Sequence, residues 1–222
     1  MRYIVHRGHR IYGENQIMGI RSVLDRDDWC EFDISYIQGN WILCHDPDTE
    51  TMEHIYDLQQ LIEILPPKGT LLIDMKWDFI WNRKDPIKDA LHKLEQMVTQ
   101  IRIPWMIQSG HASIVRLLLQ HHPHWIIGYL MEQPCPILPV DFFMVNLSCF
   151  DLRDLENLRP HGKIYGYTCK HIKHLVYYRH LGFLSGIVID IHESRDHRKT
   201  TVEDRLDHGG PGRGRSKTVI QT

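Results

Sequence analysis

Short apolar runs alternate with helix-patterned segments along most of the chain, and this alternation constrains the fold more than any other feature. Most of the runs are apolar throughout, as expected for parallel strands that are buried on both faces. We predict eight such strands, the second of them paired with a hairpin partner, at residues 2–6, 30–36 (paired with 41–45), 70–76, 105–109, 125–130, 142–147, 163–168 and 186–190.

The segments between the strands carry the apolar periodicity of helices. Helices are predicted within 14–27, 85–101, 113–122 and 169–182. The helix within 85–101 has Asp85 as its N-cap and Pro86 at its first position, and the helix within 169–182 ends at Gly182. The connection "MEQPCPILPVD" holds three prolines and predicts no regular helix.

Eight strands that alternate with helices predict an α/β fold, a single compact (β/α)₈ TIM barrel, in preference to a doubly wound sheet. No glycine-rich phosphate loop follows any strand, which also disfavours a nucleotide-binding sheet. The barrel is predicted to span residues 1–191. The eighth helix is weak or missing, and residues 192–222 form a polar, flexible tail. A homodimer or the docked tail would then cover the apolar wall beside the missing helix.

Composition excludes several classes of partner. A net charge of −2 across 222 residues argues against a nucleic-acid-binding surface while leaving room for local basic patches. No apolar run approaches the ~20 residues of a membrane span. No secretory signal begins the chain. Five scattered cysteines without a CxxC pair predict reduced thiols and a cytoplasmic location. The histidines of "HHPH" at 121–124 are predicted to be solvated at a helix end.

Polar side chains gather at the ends of neighbouring predicted strands. The first strand ends in His6 and Arg7, and the hairpin strand ends in His45. The second and third strands carry pairs of polar residues two positions apart, which places each pair on one face of its strand: Glu31 with Asp33, and Asp74 with Lys76. In a barrel these ends converge at the face where active sites lie.

The chemistry of this set is that of a phosphodiester-cleaving site. Three converging carboxylates repel one another unless a cation is bound, and oxygen ligands without thiolate favour Mg²⁺ or Ca²⁺. Arg7 and Lys76 beside that cation make a place for a phosphate. Two histidines that titrate near neutrality can act as general base and general acid. Each feature alone also fits an ordinary structural role, but four neighbouring strand ends favour a joint site.

The motifs resemble those of the glycerophosphodiester phosphodiesterase family, a phospholipase-C-like barrel type. The resemblance covers roughly residues 3–191 in the family's order. It rests on His6-Arg7-Gly8, Glu14-Asn15, Glu31-Phe32-Asp33, His45-Asp46 and Asp74-Met75-Lys76. Fainter likeness continues through "MIQSG", "HWIIGYLME", "IYGYTCK" and "GFLSGIVIDI".

This resemblance implies hydrolysis of a small-molecule glycerophosphodiester to glycerol 3-phosphate and an alcohol, with a divalent cation. The family reaction proceeds through attack by the substrate's own glycerol hydroxyl, followed by opening of a cyclic phosphate by water. Carried over to this chain, the acid–base pair is His6 and His45. The metal ligands are Glu31, Asp33 and Asp74, and the substrate-binding residues are Arg7, Lys76 and Tyr167.

Two departures leave alternatives open. Asp74 replaces the family's usual Glu, and the short stretch between Asp46 and Asp74 has no room for a large substrate-capping insertion. An open pocket also fits a phospholipase-D-like activity on lysophospholipid headgroups, which an apolar "WDFIW" segment at 77–81 would favour. A catalytically inactive barrel that serves as a binding module is a third reading of the altered motifs.

Overall fold

A computed structural model describes residues 1–46, 55–76, 87–180 and 182–190, without the side chain of residue 172. Several predictions lie outside these ranges. They are the cap formed by Asp85 and Pro86, the apolar segment 77–81, the eighth helix, and the tail at 192–222 with the homodimer or docked tail that depends on it.

Within the described ranges the chain forms nine strands, of which eight are parallel neighbours in a closed ring. The order around the ring is β1-β9-β8-β7-β6-β5-β4-β2, and pairing of β1 with β2 closes the ring. The ninth strand, β3, is not part of the ring and pairs antiparallel with β2. The strands are β1 Arg2–Val5, β2 Trp29–Ile37, β3 Asn40–Leu43, β4 Thr70–Lys76, β5 Trp105–Ser109, β6 Ile127–Met131, β7 Phe142–Asn146, β8 Lys163–Cys169 and β9 Leu184–Ile189. The predicted (β/α)₈ barrel is therefore confirmed.

The part of the chain that the structure describes contains six α-helices, which lie between successive strands. They are α1 Ile17–Leu24, α2 Leu58–Glu63, α3 Ile87–Val98, α4 Ala112–His121, α5 Leu152–Leu158 and α6 Ile172–His180, with short 3₁₀ turns at Arg10–Tyr12 and Arg159–His161. Four of the six were predicted, and the proline-rich link between β6 and β7 has no helix, as predicted. No helix of the described residues is long and apolar enough to cross a membrane.

The two helices that the periodicity missed are the shortest, with six and seven residues. Both begin with reciprocal capping. The Asp57 side chain accepts a hydrogen bond from the backbone N–H of Gln60, and the backbone N–H of Asp57 donates to Gln60 Oε1 in return. Asp151 and Asp154 repeat the arrangement. A helix of fewer than two turns has too few apolar repeats to be recognised by its periodicity. The capping residues were therefore the sequence signal that indicated these two helices.

The apolar residues form an outer layer under the helices and an inner layer inside the barrel. The inner layer consists of Ile4, Leu72, Met106, Phe142, Met144, Tyr165 and Val188, with Trp29, Leu130 and Tyr167 packed against it. Side chains two positions further along each strand face the same interior. Two positions beyond the last member of this layer, seven of the eight ring strands carry or are followed by a polar residue, and on β8 the layer continues to Tyr167. The barrel interior is therefore apolar at its amino end and largely polar at its carboxyl end.

At the histidine-rich turn after α4 the structure differs from two predictions: the exposure of His122 and the first residue of β6. His122 is not solvated, since only 5% of it is exposed and its ring stacks on that of Trp125 with centroids 4.0 Å apart. His121 and His124 are exposed, as predicted. Because Trp125 serves this packing outside the sheet, β6 begins two residues later than expected, at Ile127.

Candidate active site

The carboxyl ends of the barrel strands surround a cavity of about 200 Å³. All eight residues that the sequence predicted as catalytic, substrate-binding or metal-binding lie on its wall. They are His6, Arg7, Glu31, Asp33, His45, Asp74, Lys76 and Tyr167. Strand ends that lie far apart in the chain are thus brought to one place by the closed barrel.

Strand register explains how the carboxylates meet. Asp33 of β2 is the direct partner of Asp74 of β4, and Glu31 lies two positions before Asp33 on the same face. All three side chains are buried, with at most 3% of each residue exposed. One oxygen from each of the three lies within 4.8 Å of the others. Among the described residues this is the one cluster with spacing suited to a metal ion.

Arg7 ties the first strand end to the carboxylates. Its backbone N–H donates to Glu31 Oε2 at 3.1 Å. Its side-chain Nε lies 2.8 Å from Asp33 Oδ2, and Nη1 donates to Glu14 Oε2 at 2.7 Å. The guanidinium is therefore fixed between the buried carboxylate of Asp33 and the exposed carboxylate of Glu14, and 18% of its side chain remains exposed.

Lys76 supplies the second cation. Its Nζ lies 3.0 Å from Asp33 Oδ1 and 2.5 Å from Asp74 Oδ2. Burial lowers the pKa of Lys76, but the two carboxylates outweigh burial and raise it above the ordinary value. The lysine is therefore charged throughout the physiological range.

The carboxylates differ in protonation because their partners differ. Burial, followed by the charges of Asp33 and Asp74, raises the pKa of Glu31 well above its ordinary value. Burial also raises the pKa of Asp74, and Lys76 only partly offsets this. At Asp33 the pKa is lowered, because Lys76 and Arg7 together outweigh burial. The basic residues around the cluster therefore do not balance the negative charge of its three carboxylates.

A divalent cation would compensate this excess of negative charge. Oxygen donors are the ligands that Mg²⁺ and Ca²⁺ prefer. Asp74 Oδ1 is buried without a hydrogen-bond partner, so the fold holds an acceptor oxygen that its described residues leave unsatisfied. The donor set and the unsatisfied oxygen together match a hard cation.

His6 and His45 differ in their surroundings and in their burial. The backbone N–H of His6 donates to Ile189 O at 3.1 Å, and its ring nitrogens lie 3.9 Å from Glu31 and 3.9 Å from Asp190. Burial, followed by the charge of Arg7, lowers the pKa of His6 to about 4. His45 follows β3, is half-buried, and has a pKa lowered chiefly by burial.

Several neighbours of the site were not among the predicted residues. Asn15 is 2% exposed and hydrogen-bonds Asp33, while Asp190 accepts from Arg10 Nη2 at 2.7 Å. Gln108 and Glu132 line the cavity. The signal for most of them is shared: each stands two positions after an inner-layer residue, at Asp190, Gln108 and Glu132. Alternation along a strand could therefore have identified them.

The molecule is a (β/α)₈ barrel whose histidines, basic residues and carboxylates meet at the active-site face of that fold. Solved structures with a similar fold include glycerophosphodiester phosphodiesterases, so the fold implied by the sequence motifs is confirmed.

One similar structure is an Oleispira antarctica phosphodiesterase in complex with the product sn-glycerol-3-phosphate. Its TM-score is 0.69 at 15% identity, over 85% of this chain and 92% of that one. A glycerophosphodiester phosphodiesterase of Parabacteroides distasonis has a TM-score of 0.67 at 14% identity, over 85% and 92%. One from Agrobacterium tumefaciens has a TM-score of 0.59 at 15% identity, over 86% and 95%. No protein-family model and no curated protein matches the chain.

Proposed function

We propose that this protein hydrolyses glycerophosphodiesters to glycerol 3-phosphate and an alcohol, using a divalent cation. One observation carries the proposal: the two histidines, the two basic residues Arg7 and Lys76, and the three carboxylates line a single cavity at the carboxyl end of the barrel. The fold, which is shared with known glycerophosphodiester phosphodiesterases, supports the same reaction.

Glu31, Asp33 and Asp74 would hold the cation, which is Mg²⁺ or Ca²⁺. When bound, such an ion stabilises the negative charge that grows on the non-bridging phosphate oxygens. Both carboxylate oxygens of Asp33 are engaged by other groups, Oδ1 by Lys76 and Oδ2 by Asn15 and Arg7. These contacts fix the direction in which Asp33 presents its remaining lone pairs.

Arg7 and Lys76 bind the phosphate. The planar guanidinium of Arg7 suits a two-point contact with phosphate oxygens, while the ammonium of Lys76 acts as a point charge. Each is anchored by carboxylates at 2.5–3.0 Å, lines the cavity and keeps 18–23% of its side chain exposed. Pre-positioned charges of this kind need little rearrangement as the reaction proceeds.

His6 and His45 move the protons. One histidine takes the proton from the attacking hydroxyl or water as the new P–O bond forms. The other gives a proton to the alcohol oxygen as its P–O bond breaks, so that charge and protons balance. The ring of Tyr167 forms part of the wall against which the substrate rests.

The test is release of glycerol 3-phosphate from glycerophosphocholine by the full chain with Mg²⁺, Ca²⁺ or EDTA. We expect metal-dependent product, and a loss of about 10²-fold or more for His6→Ala and for His45→Ala. His92→Ala is the matched control, because 67% of its side chain is exposed on α3. Lysophosphatidylcholine as a second substrate tests the phospholipase-D-like alternative.

A second substrate series separates the two histidine roles. A diester with a p-nitrophenyl leaving group needs no general acid, so the variant that lacks the acid keeps its rate on that substrate, while the variant that lacks the base does not. Folded protein that binds metal but turns over neither glycerophosphodiesters nor lysophospholipids would overturn the proposal in favour of an inactive binding module.

A further inference from the structure

One stretch of the chain carries basic residues without a single acidic one. Residues 157–189 include five lysines and arginines, four histidines and no aspartate or glutamate. The whole chain, by contrast, has 28 acidic residues against 26 lysines and arginines. The acidic excess of the protein therefore lies entirely outside this stretch, which forms a local basic region in an otherwise acidic molecule.

The five lysines and arginines of this stretch are exposed on the outside of the barrel. Helix α6 packs on the sheet through Leu175, which is 3% exposed and forms a buried cluster with Cys169 of β8 and Ile187 of β9. The cations lie around this helix and before or at the amino end of β8, at Arg159, Lys163, Lys170, Lys173 and Arg179. The part of the chain that the structure describes offers none of them an ion-pair partner. No described carboxylate therefore neutralises this side of the barrel.

The outward side of α6 combines these cations with an aromatic ring. Residues three and four apart share one side of a helix, so Lys173, Tyr177 and His180 lie in one row, opposite the buried Leu175. Tyr177 is 55% exposed and stands in the middle of that row. Two further exposed residues flank the row, and the basic face is defined as Lys170, Lys173, His174, Tyr177 and His180.

We propose that the basic face docks on the surface of a bilayer that contains anionic phospholipids. Lys170 and Lys173 supply the charge that such a surface attracts, each contributing about fivefold in affinity. The ring of Tyr177 enters the headgroup layer with its hydroxyl in the wet region, as amphipathic aromatic side chains do at membrane interfaces. Basic residues and an aromatic ring on one side of a helix are typical of helices that lie on a membrane.

A bilayer fits the composition of the basic face better than a nucleic acid does. The face has lysine but no arginine, although arginine is the side chain suited to two-point contacts with phosphates and bases. Its one exposed aromatic ring offers stacking to a single base at most. A planar surface meets only one side of the protein, so the acidic remainder of the chain faces water. None of the five residues lines the cavity, so the inference is independent of the proposed reaction.

The experiment measures sedimentation of the full chain with phosphatidylcholine vesicles, with and without about one-third phosphatidylserine. We expect binding to the anionic vesicles alone, and binding that weakens as NaCl is raised, because salt screens the attraction. Lys170→Gln combined with Lys173→Gln should weaken binding about 10–30-fold. The matched control, Lys68→Gln with Lys88→Gln, removes the same charge from exposed positions before β4 and on α3, across the ring from β8. It should weaken binding less than about threefold. Equal losses, or no binding to anionic vesicles, would overturn the inference.

Two further arms test the ring and the nucleic-acid alternative. Tyr177→Ser should weaken vesicle binding about fivefold at both low and high salt, since burial of the ring does not depend on charge. Tyr12→Ser, at a tyrosine that is 49% exposed after β1, should leave it unchanged. Unchanged affinity of Tyr177→Ser would contradict docking with the ring in the interface. Binding of single-stranded poly(U) RNA through Lys170 and Lys173, without binding to vesicles, would reassign the face to nucleic acid and overturn the inference.

Discussion

Asn15 and Asp33 exchange two hydrogen bonds: the Asn15 amide donates to Asp33 Oδ2 at 3.0 Å, and the Asp33 backbone N–H donates to Asn15 Oδ1 at 2.9 Å. Both residues are buried, with 2% and 1% exposed. This exchange couples the loop after β1 to the carboxylate cluster on β2. Asp33 is therefore held in position by Asn15, a residue outside the proposed set of metal ligands and phosphate-binding residues.

Replacing Asn15 should destabilise the fold and misplace Asp33. Asn15 has a φ of 55°, a left-handed conformation, so Asn15→Gly removes the amide without adding backbone strain. The buried backbone N–H of Asp33 then loses its acceptor, while Asp33 Oδ2 keeps Arg7, and the loss costs about 1–3 kcal/mol of unfolding free energy. Urea denaturation measures the loss, and glycerol 3-phosphate release should fall with it.

The matched control is Gln38→Gly, because Gln38 has a φ of 49° but an exposed side chain in the β2–β3 hairpin. Glycine there should be neutral or stabilising by up to about 1 kcal/mol. If both glycine variants changed stability equally, the two hydrogen bonds would contribute nothing, and the positioning role of Asn15 would be wrong.

In the absence of metal, Glu31→Gln should raise Tm. The same variant should also lose the increase in Tm that added metal gives the wild type. Burial and the neighbouring Asp33 and Asp74 raise the pKa of Glu31, so its ionised form is disfavoured in the folded protein. Stability from this group is therefore present at low pH and lost as the pH rises through the folded pKa. Removing the charge at pH 8 in EDTA should increase Tm relative to wild type.

The same variant should respond weakly to Ca²⁺ or Mg²⁺. At a concentration about 100 times its dissociation constant, a cation that binds only the folded state adds about 2.7 kcal/mol. We expect the wild type to gain this in a thermal melt and Glu31→Gln to gain little. Glu63→Gln, exposed on α2, should behave as wild type. A lower Tm for Glu31→Gln in EDTA would contradict repulsion within the cluster.

The sequence predicted which side chains meet in the cavity where polar residues stand within two positions of an apolar strand run. His6, Asp33 and Asp74 are such cases, because strand alternation and barrel closure together determine where they meet. Asn15 was less accessible, because its contact with Asp33 depends on a loop conformation that no periodicity encodes. His122 was mispredicted because polarity alone does not reveal stacking on Trp125.

Stability should fall as the pH drops below about 6.5, in part through His122. Burial lowers the pKa of His122, and Glu95, whose Oε1 lies 3.6 Å from its Nδ1, only partly opposes this. His124 and His121 add to the lowering. A depressed pKa means that the unfolded chain binds the proton first, so stability is complete above pH 6.5 and declines toward the folded pKa.

His122→Phe isolates this contribution, since phenylalanine keeps the stacking surface for Trp125 and does not titrate. The difference in unfolding free energy between wild type and variant should shift in favour of the variant between pH 7 and pH 5. His92→Phe on the exposed face of α3 provides the comparison. Parallel stability profiles for wild type and His122→Phe would show that His122 has the same pKa in both states.

The inner layer of the barrel should reject even one added methyl group at Gly128. A Cβ built there would overlap the ring of Phe142, its direct partner on β7. Gly128→Ala should therefore cost about 1–3 kcal/mol of unfolding free energy. At Gly110 the nearest atom to an added Cβ is 3.7 Å away, so Gly110→Ala should be close to neutral. If overlap with the ring is the cause, Phe142→Leu should cost less in the Gly128→Ala background than alone, with a coupling of about 1 kcal/mol. Additive losses in urea denaturation would instead assign the cost to the backbone of β6.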